Sequence, residues 1–105
     1  MATSKDEILR DIKRYIAELN NSGIPIYKAV LFGSRARGKA SEESDVDVAL
    51  ISDKFTGDRF QDRRRIVPLR RKINTRIEPI PFTQEGFDTE GILVEEISKY
   101  GEEIK

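Results

Sequence analysis

Near the N-terminus the apolar residues Ile8, Leu9, Ile12, Ile16 and Leu19 recur every three or four positions, the spacing of an amphipathic helix, and predict one from about residue 4 to 20. Ser4-Lys5-Asp6-Glu7 has the form of a capping box at its start, and Asn20-Asn21-Ser22-Gly23 ends it. The pattern then changes. Residues 25 to 32 are rich in Ile, Val, Tyr and Phe with no internal breaker and stop at Gly33, which predicts a buried strand; residues 46 to 52 predict a second. Between them, residues 34 to 44 hold small and charged side chains around Gly38, and predict a short helical turn followed by a loop. Residues 53 to 57 form a turn, and 58 to 73 carry Phe60, Ile66, Val67, Leu69 and Ile73 at spacings that suit a helix, interrupted by Pro68. Residues 75 to 82 predict a third strand, placed at a sheet edge by Pro79 and Pro81, and residues 89 to 100 a last helix stopped by Gly101. Strands alternating with helices predict an α/β (α+β) fold, one small mixed sheet of three or more strands packed with helices.

Polar residues interrupt this pattern at one place that demands a reason. In the second strand, Asp45 and Asp47 alternate with Val46, Val48 and Leu50, so both carboxylates project from one face. Like charges held that close repel, and a cation between them relieves the repulsion. The chain contains no Cys and no His, which removes disulfides, thiolate chemistry, imidazole bases and Cys/His zinc sites. Any metal must therefore take oxygen ligands, as Mg2+ and Mn2+ do.

Composition narrows the setting. With 105 residues there is room for a single domain spanning 1–105 and none for a second lobe. Hydrophobic residues at 37% and charged residues at 36% suit a soluble globular domain rather than a disordered chain. The formal net charge is zero, so no global field draws nucleic acid or membrane. The start, MATSKDEILR, lacks the basic and apolar regions of a signal peptide, and no apolar run approaches the roughly 20 residues of a membrane span. A cytoplasmic protein is expected.

Gly33-Ser34 followed by Asp45-x-Asp47 on the next strand resembles the signature of the DNA polymerase β-like nucleotidyltransferases. The fuller string GSRARGKASEESDVDVAL resembles the minimal nucleotidyltransferase subfamily, whose members are often the antitoxin of a pair with a HEPN-domain toxin. The order of elements agrees with that family from about residue 5 to 85.

The chemistry of such a motif follows from its residues. Glycine lets the backbone approach a phosphate, and Ser34 offers a hydroxyl and an amide at the start of a helical turn, so Gly33-Ser34 reads as a triphosphate cradle. Nucleotidyl transfer needs phosphate charge neutralised and the attacking and leaving oxygens held in line, a task for two divalent ions about 3.5–4 Å apart on shared carboxylates. Asp45 and Asp47 are the candidate catalytic and metal-bridging pair. The family usually adds a third carboxylate from a neighbouring strand. Glu78, the acid of the third strand, is the candidate here; the alternative is a surface salt bridge with Arg76 or a nearby lysine. Ser44 matches a position frequently serine in the subfamily and is a candidate phosphate or ligand contact, or else a polar strand start. Arg35 and Arg37 flank the cradle as candidate nucleotide contacts, with Lys39 beside them; exposed cations are otherwise simply solvated. The basic run RFQDRRRIVPLRRK reads as a solvated helix face, or as a salt-sensitive contact to RNA phosphates or an acidic partner; with no interleaved aromatics it does not read as a dedicated single-strand binder.

The resemblance implies transfer of AMP from ATP, with Mg2+ or Mn2+, to a hydroxyl of a HEPN ribonuclease toxin, a tyrosine being the expected acceptor. The alternatives are an antitoxin that neutralises by binding alone, disfavoured by the intact Gly33-Ser34 and Asp45-x-Asp47, and a transferase acting on RNA or on a small molecule, disfavoured by the missing second lobe. Partners are expected to be the toxin and a nucleoside triphosphate, with no membrane, no direct nucleic-acid binding, and a homodimer left open.

Overall fold

The computed structural model describes residues 5–36, 44–89 and 91–105. Helix α1, Lys5–Asn21, buries Ile8, Ile12, Tyr15, Ile16 and Leu19 along one face; Ser4, the expected cap, lies outside the described residues. The helix ends because Gly23 takes φ +87. The Ile24 N–H then reaches the Leu19 carbonyl at 2.9 Å, and the Gly23 N–H reaches that of Asn20 at 3.2 Å. These two bonds satisfy carbonyls the helix leaves open, with buried Leu19 and Ile24 beside them.

Strand β1, Lys28–Phe32, runs directly into the short helix α2, Gly33–Ala36. Strand β2, Val46–Ile51, follows, then α3, Arg59–Ile66. Asp58 caps α3 by accepting from the N–H groups of Phe60 and Gln61 at 3.0 and 3.2 Å. One turn further on, the buried Asp62 carboxylate accepts from the Thr56 N–H and hydroxyl and from the Gly57 N–H, tying the β2–α3 loop to the helix. The helix expected to reach residue 73 is shorter: it stops at Ile66 and tightens into a 3₁₀ turn at Val67–Arg70. Pro68 has no N–H to continue the ladder, so the shorter repeat takes over.

Strand β3, Ile77–Phe82, then helices α4, Gln84–Thr89, and α5, Ile92–Tyr100, complete the core. The expected last helix is α5, beginning three residues later than expected, and α4 before it was not expected. Gly101 ends α5: its N–H bonds the Ile97 carbonyl at 2.8 Å, and any Cβ would collide with that carbonyl and with Val30. The chain turns tightly there and adds β4, Glu102–Glu103, a strand too short and too charged for the hydrophobic pattern to announce.

The four-stranded sheet has the order β3-β2-β1-β4, with β1 antiparallel to β2 and β4, and β2 parallel to β3. Ile8, Ile12, Tyr15 and Leu19 of α1, with Ile66, pack on one face against Val46, Val48, Leu50, Leu31 and Ile77. Phe87 of α4 and Ile97 of α5 pack on the other against Val30, Phe32, Ala49, Ile51 and Phe82. Both faces of β2 are covered, and its residues are buried except Asp47, which is half-buried.

Strand β3 is an edge, as its prolines require. The Arg76 and Phe82 carbonyls point inward to the Val46 and Ser52 N–H groups. Residues of the opposite parity, Ile77, Pro79 and Pro81, therefore turn their backbone outward, where a missing N–H costs no ladder bond.

Tyr15 ties the two halves of the first face together, its buried hydroxyl donating to the Ile66 carbonyl at 2.6 Å. Burial pushes the phenol well above its ordinary value, so it stays a neutral donor. Tyr15→Phe leaves that carbonyl unpaired and should cost about 1–3 kcal/mol, read as a lower urea midpoint at unchanged m.

Candidate active site

Asp45 is the exposed residue that leads into β2, and Asp47 is that strand's second residue. The pairing places Asp47 opposite Phe32 of β1 and opposite Glu78 of β3. Residues in register share a face. Asp47 and Glu78 therefore stand together at the sheet end where β1 finishes and where β2 and β3 begin, on the side covered by α4 and α5.

Gly33 follows Phe32 immediately and has φ +73. A Cβ there would overlap the Asp47 carboxylate, Oδ2 first. Glycine is thus required twice at one position, for the left-handed backbone and for the space that the acid occupies. This is the close backbone approach expected of the Gly33-Ser34 pair, although what approaches the glycine here is the carboxylate of Asp47. Ser34 follows within α2.

The electrostatics around Asp47 are one-sided. Burial pushes its pKa above the ordinary 3.8, and the charges of Asp45, Glu78 and Glu96 add to the rise in that order. Glu96, half-buried on α5, gave no motif signal; an acid on an otherwise amphipathic helix looks like any solvated residue until the fold brings it to the site.

Glu78 is held differently. Arg63 Nη2 lies 3.2 Å from its Oε2, and Arg70 Nη1 lies 3.1 Å from its Oε1. The same guanidiniums donate to the outward carbonyls of Pro79 and Ile77. Two members of the basic run thus turn inward, closing the open edge of β3 and fastening both oxygens of Glu78. The ion pair is made with these two, not with Arg76 or a lysine. Among the described residues, no three metal-ligating side chains gather into one group.

Arg35 Nη2 donates to the Ser44 carbonyl at 2.9 Å, so the arginine beside the cradle secures the segment that delivers Asp45. Ser44 is half-buried at that junction. Arg37 and Lys39 lie outside the described residues.

The donors available here are oxygens alone, clustered so that negative charge is under-compensated at Asp47. A hard divalent cation fits that chemistry, because it takes carboxylate ligands and removes the repulsion that raises the Asp47 pKa.

Two stability measurements test this geometry. Gly33→Ala forces an L-residue into the left-handed region, about 1–2 kcal/mol by itself, and displaces Asp47 as well; urea unfolding should show at least that loss. Asp47→Asn should have the opposite sign. A raised folded-state pKa means stability that is fully present below the unfolded value and lost as pH rises through the folded one. At neutral pH, without divalent ions, Asp47→Asn should therefore melt higher than wild type, and the gap should close as the pH falls toward 3.8.

The chain is similar to known proteins in sequence and in fold. The chain is 26% identical over 102 residues to a "putative protein adenylyltransferase" of Methanocaldococcus jannaschii, an alignment covering 93% of this chain and 96% of that one. It shares the fold of a "putative nucleotidyltransferase" from Sulfolobus solfataricus, known from its crystal structure, with a TM-score of 0.66 at 19% identity over 98% of this chain and 89% of that one. The nucleotidyltransferase domain family matches residues 9–103, and the chain belongs to that family.

Proposed function

We propose that this nucleotidyltransferase moves AMP from ATP to a tyrosine hydroxyl of a HEPN-domain ribonuclease toxin and thereby acts as its antitoxin. The observation that carries the reading is the Asp47 carboxylate, packed against the Gly33 backbone at the sheet end and raised in pKa by burial and then by three other acids. A domain with no use for a cation gains nothing from that repulsion. The similarity to the Methanocaldococcus protein supports a protein acceptor, and the intact Gly33-Ser34 and Asp45-x-Asp47 pairs favour a transferase over an antitoxin that only binds.

In this reading Asp45 and Asp47 hold Mg2+, or Mn2+ in its place, and the Gly33-Ser34 turn receives the triphosphate. Divalent ions bound there neutralise phosphate charge and align the attacking and leaving oxygens. The tyrosine oxygen attacks the α-phosphorus as the bond to the β-phosphate oxygen breaks, and pyrophosphate leaves. Glu78, kept in register with Asp47 by the β2–β3 pairing and fixed by Arg63 and Arg70, takes the hydroxyl proton. Arg35 keeps the Asp45 approach in place through the Ser44 carbonyl.

Incubation with ATP, Mg2+ and the HEPN protein, followed by intact-mass measurement, should show AMP added to the toxin. Full inhibition of the toxin with no added mass would overturn transfer in favour of binding alone. Asp47→Asn should slow transfer by more than the roughly 10- to 100-fold typical of losing an outer-shell metal partner. Glu78→Gln should also lose most activity. A near-normal rate would confine Glu78 to anchoring Arg63 and Arg70.

A further inference from the structure

A cavity of about 440 Å³ opens beside the acids, on the α1 side of the same sheet end. Among the described residues, Arg35, Arg71, Lys72 and Arg76 line it against Glu7 and Asp11, an excess of two positive charges in a chain whose net charge is zero. Arg71, Lys72 and Arg76 are exposed, and their side chains make no ion pair among the described residues.

The frame of this cavity is fixed. Asn74 Nδ2 donates to Asp11 Oδ2 at 3.1 Å, bridging to α1, while Asn74 Oδ1 accepts from the Arg76 N–H at 2.9 Å. Buried Ile8 and half-buried Ile73 supply an apolar lining. It is also joined to the catalytic end at two points. The Arg76 carbonyl bonds the N–H of Val46, the residue between the two aspartates, at 2.8 Å. Arg35 reaches the Ser44 carbonyl next to Asp45.

We infer that this cavity binds an acidic stretch of the polypeptide that carries the acceptor hydroxyl. The inference rests on the proposed function to the extent that the acceptor is a protein. Three features favour an acidic peptide over RNA. Among the described residues no aromatic side chain lines the cavity, so they offer bases nothing to stack on. Glu7 and Asp11 interrupt the cations, which suits spaced carboxylates better than a continuous row of phosphates. The isoleucines accept the apolar part of a peptide side chain. A segment lying here extends naturally to the sheet end where Asp45 and Asp47 stand, so the docking charges and the reacting hydroxyl belong to one chain.

The test uses the full chain and a fluorescein-labelled peptide of alternating Glu and Gly with one central Tyr, followed by anisotropy without ATP. Saturable binding that weakens with salt is expected, with at least a 10-fold loss in the double charge reversal Arg71→Glu/Lys72→Glu. Arg64→Glu/Lys99→Glu, an equal change of charge elsewhere on the surface, should bind within about 2-fold of wild type. The milder Arg71→Ala/Lys72→Ala pair should lose about 3-fold and guards against a misfolded reversal. Equal losses in the cavity and control reversals, undiminished binding by both cavity variants, binding of an oligouridine but not of the peptide, or full displacement of the peptide by ATP would each overturn the assignment. Because the assay contains no nucleotide, its failure with AMP transfer intact removes only the docking site, and its success with transfer absent removes only the transferase reading.

Discussion

A carboxylate on the central strand of a sheet covered on both faces is the constraint around which this molecule is arranged. Asp47 is half-buried among strand residues that are otherwise buried, and both that burial and its acidic neighbours oppose its ionisation. An ionised acid in such surroundings is unfavourable unless paired. The fold accommodates it by local shape: Gly33 gives up its side chain and takes a left-handed backbone so that the carboxylate has room. Large apolar interfaces on both faces of β2 keep it there. Burial of apolar side chains, at about 25 cal/mol per Å², is a far larger reservoir than one desolvated acid consumes. The cost falls on folding, and in the proposed reading a bound cation would relieve it.

Glu78 shows the contrasting solution one strand away. Its charge is balanced inside the chain by Arg63 and Arg70, and the same guanidiniums cover the outward carbonyls of β3. One pair of side chains thus protects a sheet edge that would otherwise offer bonds to another strand, and also sets the position of an acid at the site. Pro79 and Pro81 contribute to the same end by removing donors from that edge. Edge protection and site construction are the same interaction here. A substitution that loosens either arginine acts on both.

How much of this was legible in the sequence follows from the range of the signals. Local periodicity carried α1, β1, β2 and β3, because a continuous apolar face is written within a few residues. The positions of Asp45, Asp47 and Gly33 were legible for a similar reason: they depart from a local pattern that would otherwise be apolar or would need a side chain. The short helix α4 ahead of the last helix, and the addition of β4, were not legible. The turn after Tyr100 is decided by contact of Gly101 with Ile97 and Val30, and the latter is remote in sequence. Pro68 announced a break but not its form. Arg63, Arg70 and Glu96 were hidden for the opposite reason, since in sequence they look like the charges of any solvated helix, and only the closed sheet turns them toward Glu78 and Asp47.

Zero net charge is therefore a poor guide to the fields this chain presents. Acids are concentrated on one side of the sheet end, at Asp45, Asp47, Glu78 and Glu96, and cations line a cavity on the other. With a Debye length of about 8 Å at physiological salt, each patch acts on what touches it and is nearly invisible at a distance. Such local contrast can orient a bound molecule at this sheet end. In the proposed reading, positive charge would meet one part of a partner, negative charge would recruit the cations that meet the nucleotide, and the strand β2 between them would set the spacing. The geometry of the candidate site is then built into the sheet itself.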